Sequence, residues 1–458
     1  PATQTRALVS NFASPTTWGV TGNLNGRTAE GNAPVQAFAE IGDTVYVGGN
    51  FTHAEQRTTG RMEPRTALAA FDSVTGDLRE GFTLELDNQV KALLALPDGR
   101  LLVGGDFKNV NGERRVGTVV VDPLSGEIDE NWTLDITSRL ASGIVSVTSL
   151  APGGEFIYIG GNFTHLSNAV SGTTYSRGAA RVHHDGTPDH SWNPEFNGTV
   201  VDIDTSPSGD RFYAAGYFTR SVDNLAWKAT ALTTAPGAAP VSDWVFQGSA
   251  DQRTNYQQAI EDTGQLLFVG GSEHSLFGYD ARSFQRVSGS ITKTNGGDFQ
   301  AIASNGDITY AGCHCAQNTY EGAYTWPTMN RDWERVDGIH WVGAWDAVTG
   351  RQLGQFSPYM LKSSNAGAWS LMVASDGALW VGGDFLRSNT SLTTSQWNGG
   401  WVRYPALDVE APETPSGVWA AETTTDTVDL RWNAVSDATG YDILRDDRVI
   451  ATVSDDIG

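Results

Sequence analysis

Seven segments of this sequence share one pattern: an apolar run ends in two small residues, usually glycines, and a polar residue and Phe usually follow. They read VYVGGNF (Val45 to Phe51), LLVGGDF (Leu101 to Phe107), IYIGGNF (Ile157 to Phe163), FYAAGYF (Phe212 to Phe218), LFVGGSE (Leu267 to Glu273), TYAGCHC (Thr309 to Cys315) and LWVGGDF (Leu379 to Phe385). Their spacing, about 45 to 70 residues, fits one four-stranded unit plus loops of variable length. A unit of that size cannot bury its apolar face alone, so neighbours must stack. The expected fold is all-β: a seven-bladed β-propeller over residues 1–408, then a linker at 409–416 and a partial fibronectin type III-like β-sandwich at 417–458.

Each unit parses alike. An apolar inner strand such as Val90 to Leu96 meets a tight turn (Pro97-Asp98-Gly99, Pro207-Ser208-Gly209, Asp376-Gly377), where Gly supplies the positive φ that short hairpins require. The glycine-containing strand follows, then a loop, a third strand such as Leu68 to Asp72 or Val342 to Asp346, and a second turn (Thr75-Gly76, Thr349-Gly350) leading to an outer strand. Paired glycines weaken a strand unless the space is needed. We therefore read Gly48, Gly49, Gly104, Gly105, Gly160, Gly161, Gly382 and Gly383 as positions where blades approach closely. The last unit lacks a fourth strand after Trp401 to Tyr404, and the segment Leu8 to Leu24 is expected to supply it and close the ring, removing exposed edges.

In the tail, Val428 to Trp432 and Tyr441 to Arg445 alternate as strands, and Trp432 and Tyr441 resemble the core pair of fibronectin type III modules. A whole module would be longer, so further C-terminal modules are expected in a full-length protein. The first residue is Pro1 rather than Met, which a removed secretion signal or a cloning boundary would explain.

Composition narrows the partners. With 53 acidic against 30 basic residues, the net charge is −23, and no basic stripe exists to displace counterions from nucleic acid or to hold an anionic membrane. Calcium, cationic groups, neutral glycans and proteins stay compatible. No apolar stretch is long enough for a transmembrane helix. The two cysteines, Cys313 and Cys315, rule out a disulfide framework.

The GGDF/GGNF strands, with their x-D-x-x-T-G turns, resemble the secreted propeller repeats of actinobacteria and related bacteria known as delta-60 or unknown-function repeats, often followed by fibronectin modules. The resemblance spans about Val35 to Tyr404. It implies a propeller and a secreted, extracellular or cell-surface location, and no reaction. The fifth and sixth units depart from the pattern at Ser272-Glu273 and Cys313-His314-Cys315.

Loop lengths single out one face. The long second-to-third loops (Thr52 to Arg65, Lys108 to Arg115, Thr164 to Gly178, Ala316 to His340, Leu386 to Gly399) all emerge on the side of the blade-to-blade connectors. The longest, in the sixth unit, holds Tyr320, Tyr324, Trp326 and Trp333 among Glu321, Asp332, Glu334 and Asp337. The fifth unit's is almost absent, so a tall flap beside a low blade is expected to leave a groove. Eight of fifteen tryptophans fall between Trp326 and Trp401. Aromatic rings beside carboxylates suit a sugar or a protein partner; they serve equally to fold the loop onto its own blade. Candidate ligand contacts are Tyr320, Tyr324, Trp326, Trp333 and Trp397. If the site is catalytic, as a glycan hydrolase or lyase, the candidate acids are Glu273, Glu321, Asp332, Glu334 and Asp337.

Cys313 and Cys315 share a strand face, and three readings stay open: a disulfide closed by a bulge, reduced packing residues, or soft-metal or redox chemistry with His314. His183, His184, Asp185, Asp189 and His190 read as a solvated hairpin. Asp202, Asp204 and Asp298 can face the central channel, and Asp202 and Asp204 are weak metal candidates, although no calcium-loop motif is present. No cofactor is predicted, and no nucleophile elbow, phosphate loop, metalloprotease or dinucleotide motif occurs. The sequence thus points first to a secreted binding or adhesion module, with a glycan-active enzyme and an inert spacer as alternatives.

Overall fold

The computed structural model describes residues 8–27, 31–247, 256–293, 297–324, 333–362, 366–407, 415–435, 438, 440–445 and 448–454. These residues are all-β, with no helix among them. Each repeat lays down an antiparallel inner pair, and a third strand pairs with the far side of the second. In the first repeat Ala37–Ile41 pairs with Thr44–Gly48, which pairs with Leu68–Asp72. The same order recurs from Val90–Ala95, Ser146–Gly153, Val200–Thr205, Gln257–Asp262, Phe299–Ser304 and Ala368–Val373. These inner strands touch one another in sequence order, and the last touches the first, so the sheets close round an axis as a propeller.

The paired glycines divide the packing between them. At the first of each pair, a Cβ would press into the next repeat's inner strand. On Gly48 it would lie 2.5 Å from Val90 Cγ1 and on Gly104 2.7 Å from Val147 Cγ1; on Gly382 it would meet Ser370 Oγ of its own repeat at 2.4 Å and Val35 Cγ1, just ahead of the first inner strand, at 2.5 Å. At the second, a Cβ would run into a main-chain carbonyl of its own repeat: Pro34 for Gly49, Gln89 for Gly105, Ser146 for Gly161. One glycine therefore sets the spacing between blades and the other the approach of two strands within a blade. Phe51, Phe107, Phe163, Phe218 and Phe385 follow, each almost fully buried.

The fourth strand is a correction to the expected unit. A full one, Arg286–Lys293, is present in the fifth repeat. Elsewhere it shrinks to single bridges: Phe71↔Leu78, Val121↔Ile128, Val182↔Pro188, Leu232↔Pro240 and Trp345↔Gln352. Pro188 and Pro240 lack the N–H a ladder needs. In place of a ladder, each outer segment drops an aromatic inward, as Phe82, Trp132, Trp192, Phe246 and Phe356 are all buried. Several meet a tyrosine of a second strand edge to face: Tyr46–Phe82, Tyr158–Trp192 and Tyr310–Phe356, at centroid distances of 5.1, 5.1 and 5.5 Å.

The N-terminal segment divides in two. Val9 bridges Ala406, and the N–H groups of Ser10 and Ser14 donate to the carbonyls of Pro405 and Arg403, each at 2.8 Å. Val9 and Ala13 join the core of Tyr404 and Phe356. Residues up to Ser14 thus edge the last sheet, whereas Trp18–Thr21 turns away and pairs with His53–Gln56. The expected linker 409–416 lies mostly outside the described residues. In the tail, Trp419–Thr423 pairs with Val428–Arg431 and Gly440–Arg445 with Arg448–Ser454, and Trp432 meets Tyr441 at 5.1 Å.

Candidate ligand-binding face at the fifth and sixth repeats

The long loops on the connector face are β-hairpins, several pinned by a strand from the preceding connector. His53–Gln56 and Arg61–Pro64 take Trp18–Thr21 as a third strand. His165–Asn168 and Gly172–Tyr175 take Asp135–Thr137, and Phe385–Asn389 with Ser395–Trp397 takes Met360–Lys362. The sixth repeat follows the same rule at larger scale. Its second and third strands run on as the flap hairpin Ile308–Glu321 and Arg335–Asp346, and the fifth repeat's outer strand pairs with it from Ser290↔Glu321 to Lys293↔Asn318. That pairing bridges the space where a groove was expected.

The flap residues are tied down. Glu321 is buried and accepts from Arg335 Nη2 at 2.9 Å, Arg351 Nε at 3.3 Å and the Gln352 N–H at 2.8 Å. Asp337 is held by Arg335 Nε at 2.7 Å, while Glu334 is exposed. Tyr324 stacks on Phe277 at 6.4 Å, and the Arg286 guanidinium lies 4.6 and 4.7 Å from the two rings. Tyr320 meets Trp333 edge to face at 5.8 Å, with Trp333 partly exposed. Trp397 lies under the Arg57 guanidinium at 5.7 Å, on the far side of the ring closure. Trp326 and Asp332 lie outside the described residues. Glu273 is buried, accepting from Gln257 Nε2 at 2.6 Å.

Closer to the axis, the fourth to sixth repeats bring together a set of groups the sequence scattered. Tyr256 stacks on the exposed Tyr217 at 4.2 Å and 15°. The Tyr256 hydroxyl donates to Asp298 Oδ2 at 3.3 Å and accepts from Gln258 Nε2 at 2.7 Å. His274 Nε2 sits 3.7 Å from Asp298 Oδ1. His314 Nε2 accepts from the Asp298 N–H at 3.3 Å, which leaves Nδ1 as the donor to Gln300 Oε1 at 3.4 Å. Burial, with the nearby His314, holds the His274 pKa below its ordinary value and so disfavours its charged form. Lys228, whose ammonium donates to the Tyr217 carbonyl at 3.1 Å, is likewise held low by burial.

The departure at Cys313-His314-Cys315 builds part of this cluster. Cys313 stands where other repeats carry the second glycine, and Phe299 pairs with it. The register with the third strand then breaks between Gly312 and Ala316. The two cysteines form a disulfide within that irregularity, Cα to Cα 5.2 Å, both sulfurs buried. His314 turns toward Asp298 between Gly297 and Gly367, at either of which a Cβ would overlap it or its backbone.

Asp202 and Asp204 stitch inner strands that share no ladder. Asp202 accepts from Ser149 Oγ at 2.8 Å and the Ile260 N–H at 3.0 Å, and Asp204 from the Asp262 N–H at 2.7 Å. Burial pushes Asp202 up to about 6 and Asp204 up to about 8, the latter helped by the Asp262 charge; Glu261 is raised as well. Among the described residues no three His, Cys, Asp or Glu side chains stand close enough to hold a metal ion, so the metal reading of Asp202 and Asp204 gains no further ligand. The Asp185 carboxylate accepts from the Thr187 N–H at 2.8 Å within an ordinary turn.

Residues 96–130 match a family model described as "Domain of unknown function (DUF5122) beta-propeller". No curated protein matches the chain. Among solved structures it is similar to the extracellular domain of a one-component system from B. thetaiotaomicron, at 13% identity and a TM-score of 0.41, over 92% of this chain and 42% of that one. A second structure, of the extracellular domain of a hybrid two-component system from the same organism, gives 13% identity and a TM-score of 0.41 over 88% and 41%. This chain thus spans less than half the length of both. A computationally designed protein, Ika8, gives 11% identity and a TM-score of 0.42 over 84% and 99%. The repeat match and the closed ring of sheets agree on the class: an all-β propeller. Among the described residues no helix is long and apolar enough to cross a membrane.

Proposed function

We propose that this chain is a seven-bladed, extracellular binding propeller with a fibronectin type III-like tail, and that its connector face near the fifth and sixth repeats takes a glycan or a protein partner. The observation that carries the reading is the convergence of Tyr217, Tyr256, Gln258, His274, Asp298 and His314. An exposed tyrosine face beside fixed amide, imidazole and carboxylate groups is the combination that orients a polar ligand on a rigid scaffold. The cyclic contact of the inner strands supports the count of seven, and the strong acidity and lack of a basic stripe favour neutral ligands over nucleic acid. Cleavage of a bound glycan is a second reading. In its favour, the Tyr256 phenol donates to the Asp298 carboxylate and the His274 imidazole lies 3.7 Å from the same carboxylate, groups of the kind that general acid–base chemistry uses.

The test is a glycan array, a polysaccharide panel with product analysis, and a surface-resonance screen of extracellular extracts. Binding should fall at least tenfold in Asp298→Asn and in His274→Ala, variants of groups on the face itself. Product release abolished by the same changes would establish the enzyme reading. A chain that binds nothing in any of the three formats is a spacer, and the proposal falls.

A further inference from the structure

The Cys313–Cys315 bond closes a small covalent ring that runs through the main chain of His314. Along an extended strand, residues two apart stand about 6.6 Å from each other; these two stand 5.2 Å apart, Cα to Cα. While the bond exists, the chain at His314 cannot straighten. The facing strand shows the same displacement. Gly312 pairs with Val342 and Ala316 with His340, so Cys313, His314 and Cys315 together oppose Trp341 alone, as in a bulge. Trp341 itself takes a φ of 68°. The residue so placed in the second, third and seventh repeats is Gly117, Gly178 or Gly400.

The consequence falls on Asp298. The His314 main-chain N–H donates to the Asp298 carbonyl at 3.3 Å, and the His314 ring turns back so that Nε2 accepts from the Asp298 N–H, also at 3.3 Å. One residue thus grips both polar groups of the Asp298 main chain. The ring fills the space beside Gly297, where a Cβ would lie 1.7 Å from its Cδ2, and its Nδ1 donates to Gln300 Oε1 at 3.4 Å. On the other side, the Thr292 hydroxyl donates to the Gly297 carbonyl at 3.0 Å and accepts from the Gly297 N–H at 3.2 Å. The aligned pair in the second repeat, Asp106 and Gln89, is joined differently. There Gln89 Nε2 donates to Asp106 Oδ2 at 2.8 Å, and the Gln89 N–H goes to Asn88 Oδ1 at 2.9 Å. The grip on the main-chain N–H belongs to the repeat with the bulge. Through it His314 places the Asp298 carboxylate, which receives the Tyr256 hydroxyl and stands beside His274.

Access decides between a clasp and a switch. A disulfide is reduced by attack of a thiolate on one of its sulfurs, and both cysteines are fully covered in the core of Phe299, Ala311, Ile339 and Trp345. An external thiol does not reach them while the chain is folded. We infer that Cys313 and Cys315 are positioning residues of the binding face: their bond is a permanent clasp that fixes His314 on the Asp298 main chain and, through it, sets the Asp298 carboxylate. The part the clasp plays in binding rests on the reading above, whereas the placement of Asp298 stands on the geometry of the ring itself.

The experiment is nitrogen NMR of the imidazole rings in the whole chain, which reads the tautomer of each of the eight histidines, with His314 assigned by His314→Gln. In the parent, alkylation under denaturing conditions without reductant should label neither cysteine, and His314 should carry its proton on Nδ1. In the double variant Cys313→Ala, Cys315→Ala, His314 should become a mixture of tautomers. Its Asp298 amide should exchange roughly tenfold faster or more, with the amides of the first repeat unchanged. The double variant Cys313→Gly, Cys315→Phe writes in what the second repeat carries at Gly105 and Phe107, and the same changes are expected of it; it keeps the test valid if the alanine variant does not fold. Free thiols in the parent, a parent His314 protonated on Nε2, or a parent-like tautomer and exchange rate in either folded variant would overturn the inference. The readout needs no ligand, so the two proposals fail separately. A clasp on a chain that binds nothing in the glycan, polysaccharide and extract screens sinks the binding reading alone, and array binding by a chain without the clasp sinks this inference alone.

Discussion

Alanine at Gly105 should destabilise the chain far more than alanine at Gly104 one residue earlier. Both glycines have φ in the ordinary negative region, since neither is among the positive-φ residues. By backbone entropy alone, each Gly→Ala change should therefore stabilise by about 0.4–1 kcal/mol. The surroundings reverse that sign to different degrees. At Gly104 the new methyl meets Val147 Cγ1 at 2.7 Å and Leu150 Cδ1 at 3.3 Å. Both are ends of side chains that can give way, so overpacking costs about 1–3 kcal/mol and the net loss is on the order of 1–2 kcal/mol. At Gly105 the methyl overlaps the Gln89 carbonyl oxygen and comes within 3.1 Å of Val90 Cα. Relief there means moving the inner strand that borders the channel, and the loss should exceed about 3 kcal/mol, in the range reserved for severe core damage. Gly99→Ala is the control: nothing lies within 4 Å, and its φ of 87° makes the expected cost conformational strain alone, about 1–2 kcal/mol. Urea unfolding followed by tryptophan fluorescence ranks the three. A Gly105→Ala protein as stable as the parent, or one no worse than Gly104→Ala, would refute the division of labour assigned to the glycine pair.

Three further outcomes follow from the same contacts. Glu321→Gln removes a buried carboxylate held by Arg335, Arg351 and the Gln352 N–H; because both arginines keep solvent access, the cost should be about 1–3 kcal/mol, seen as faster amide exchange in Arg335–Asp346 with the first repeat unchanged. Val9→Asp places a charge at a 2% exposed position in the ring closure and should cost at least ~3 kcal/mol, read as earlier proteolysis of the N-terminal segment; protection equal to the parent's would remove that segment from the closure. The raised carboxyls of Asp202 and Asp204 keep protons in the native chain that the unfolded chain has already released above the ordinary 3.8. Their contribution to stability is thus full below that pH and fades as pH rises through about 6 and about 8. Melting curves from pH 4.5 to 9 should show Asp204→Asn gaining on the parent as pH rises toward about 8 and levelling beyond it, and parallel curves would contradict the assignment.

The architecture was legible because its signal is redundant. Each repeat needs a small residue where the next blade arrives and another where its own inner strand's carbonyl arrives, so the pair recurs, and the Asp-x-x-Thr-Gly turns recur with it. The shrunken outer strands were less legible. An Asp-x-x-Thr-Gly turn announces a returning chain, yet Pro188 and Pro240 and the inward Trp132 and Trp192 decide that it returns as a plug rather than as a ladder. The alternation that marks a strand is simply missing there. The path of Trp18–Thr21 was hidden for a different reason: its partner, His53–Gln56, lies in a loop whose length but not pairing can be read from sequence.

The axial cluster shows where sequence reasoning can go further. Its members come from three repeats and sit far apart along the chain, so no local motif joins them. Aligning the residue after the second small position shows what single segments hide: Asn50, Asp106 and Asn162 in the first three repeats, Tyr217, Ser272 and His314 in the next three, then Asp384. The polar-amide or carboxylate habit lapses in three consecutive repeats, and those are the repeats that meet at Asp298. Each lapse alone reads as drift. Three in a row on one side of a ring carry a spatial meaning, since repeats adjacent in sequence are adjacent round the axis. The flap is dense in tryptophan and tyrosine, but Tyr324 is spent on Phe277 and Arg286, and Glu321 on two arginines. Adjacent deviations within a closed repeat, rather than dense aromatic composition, were the better guide to where this ring departs from pure packing.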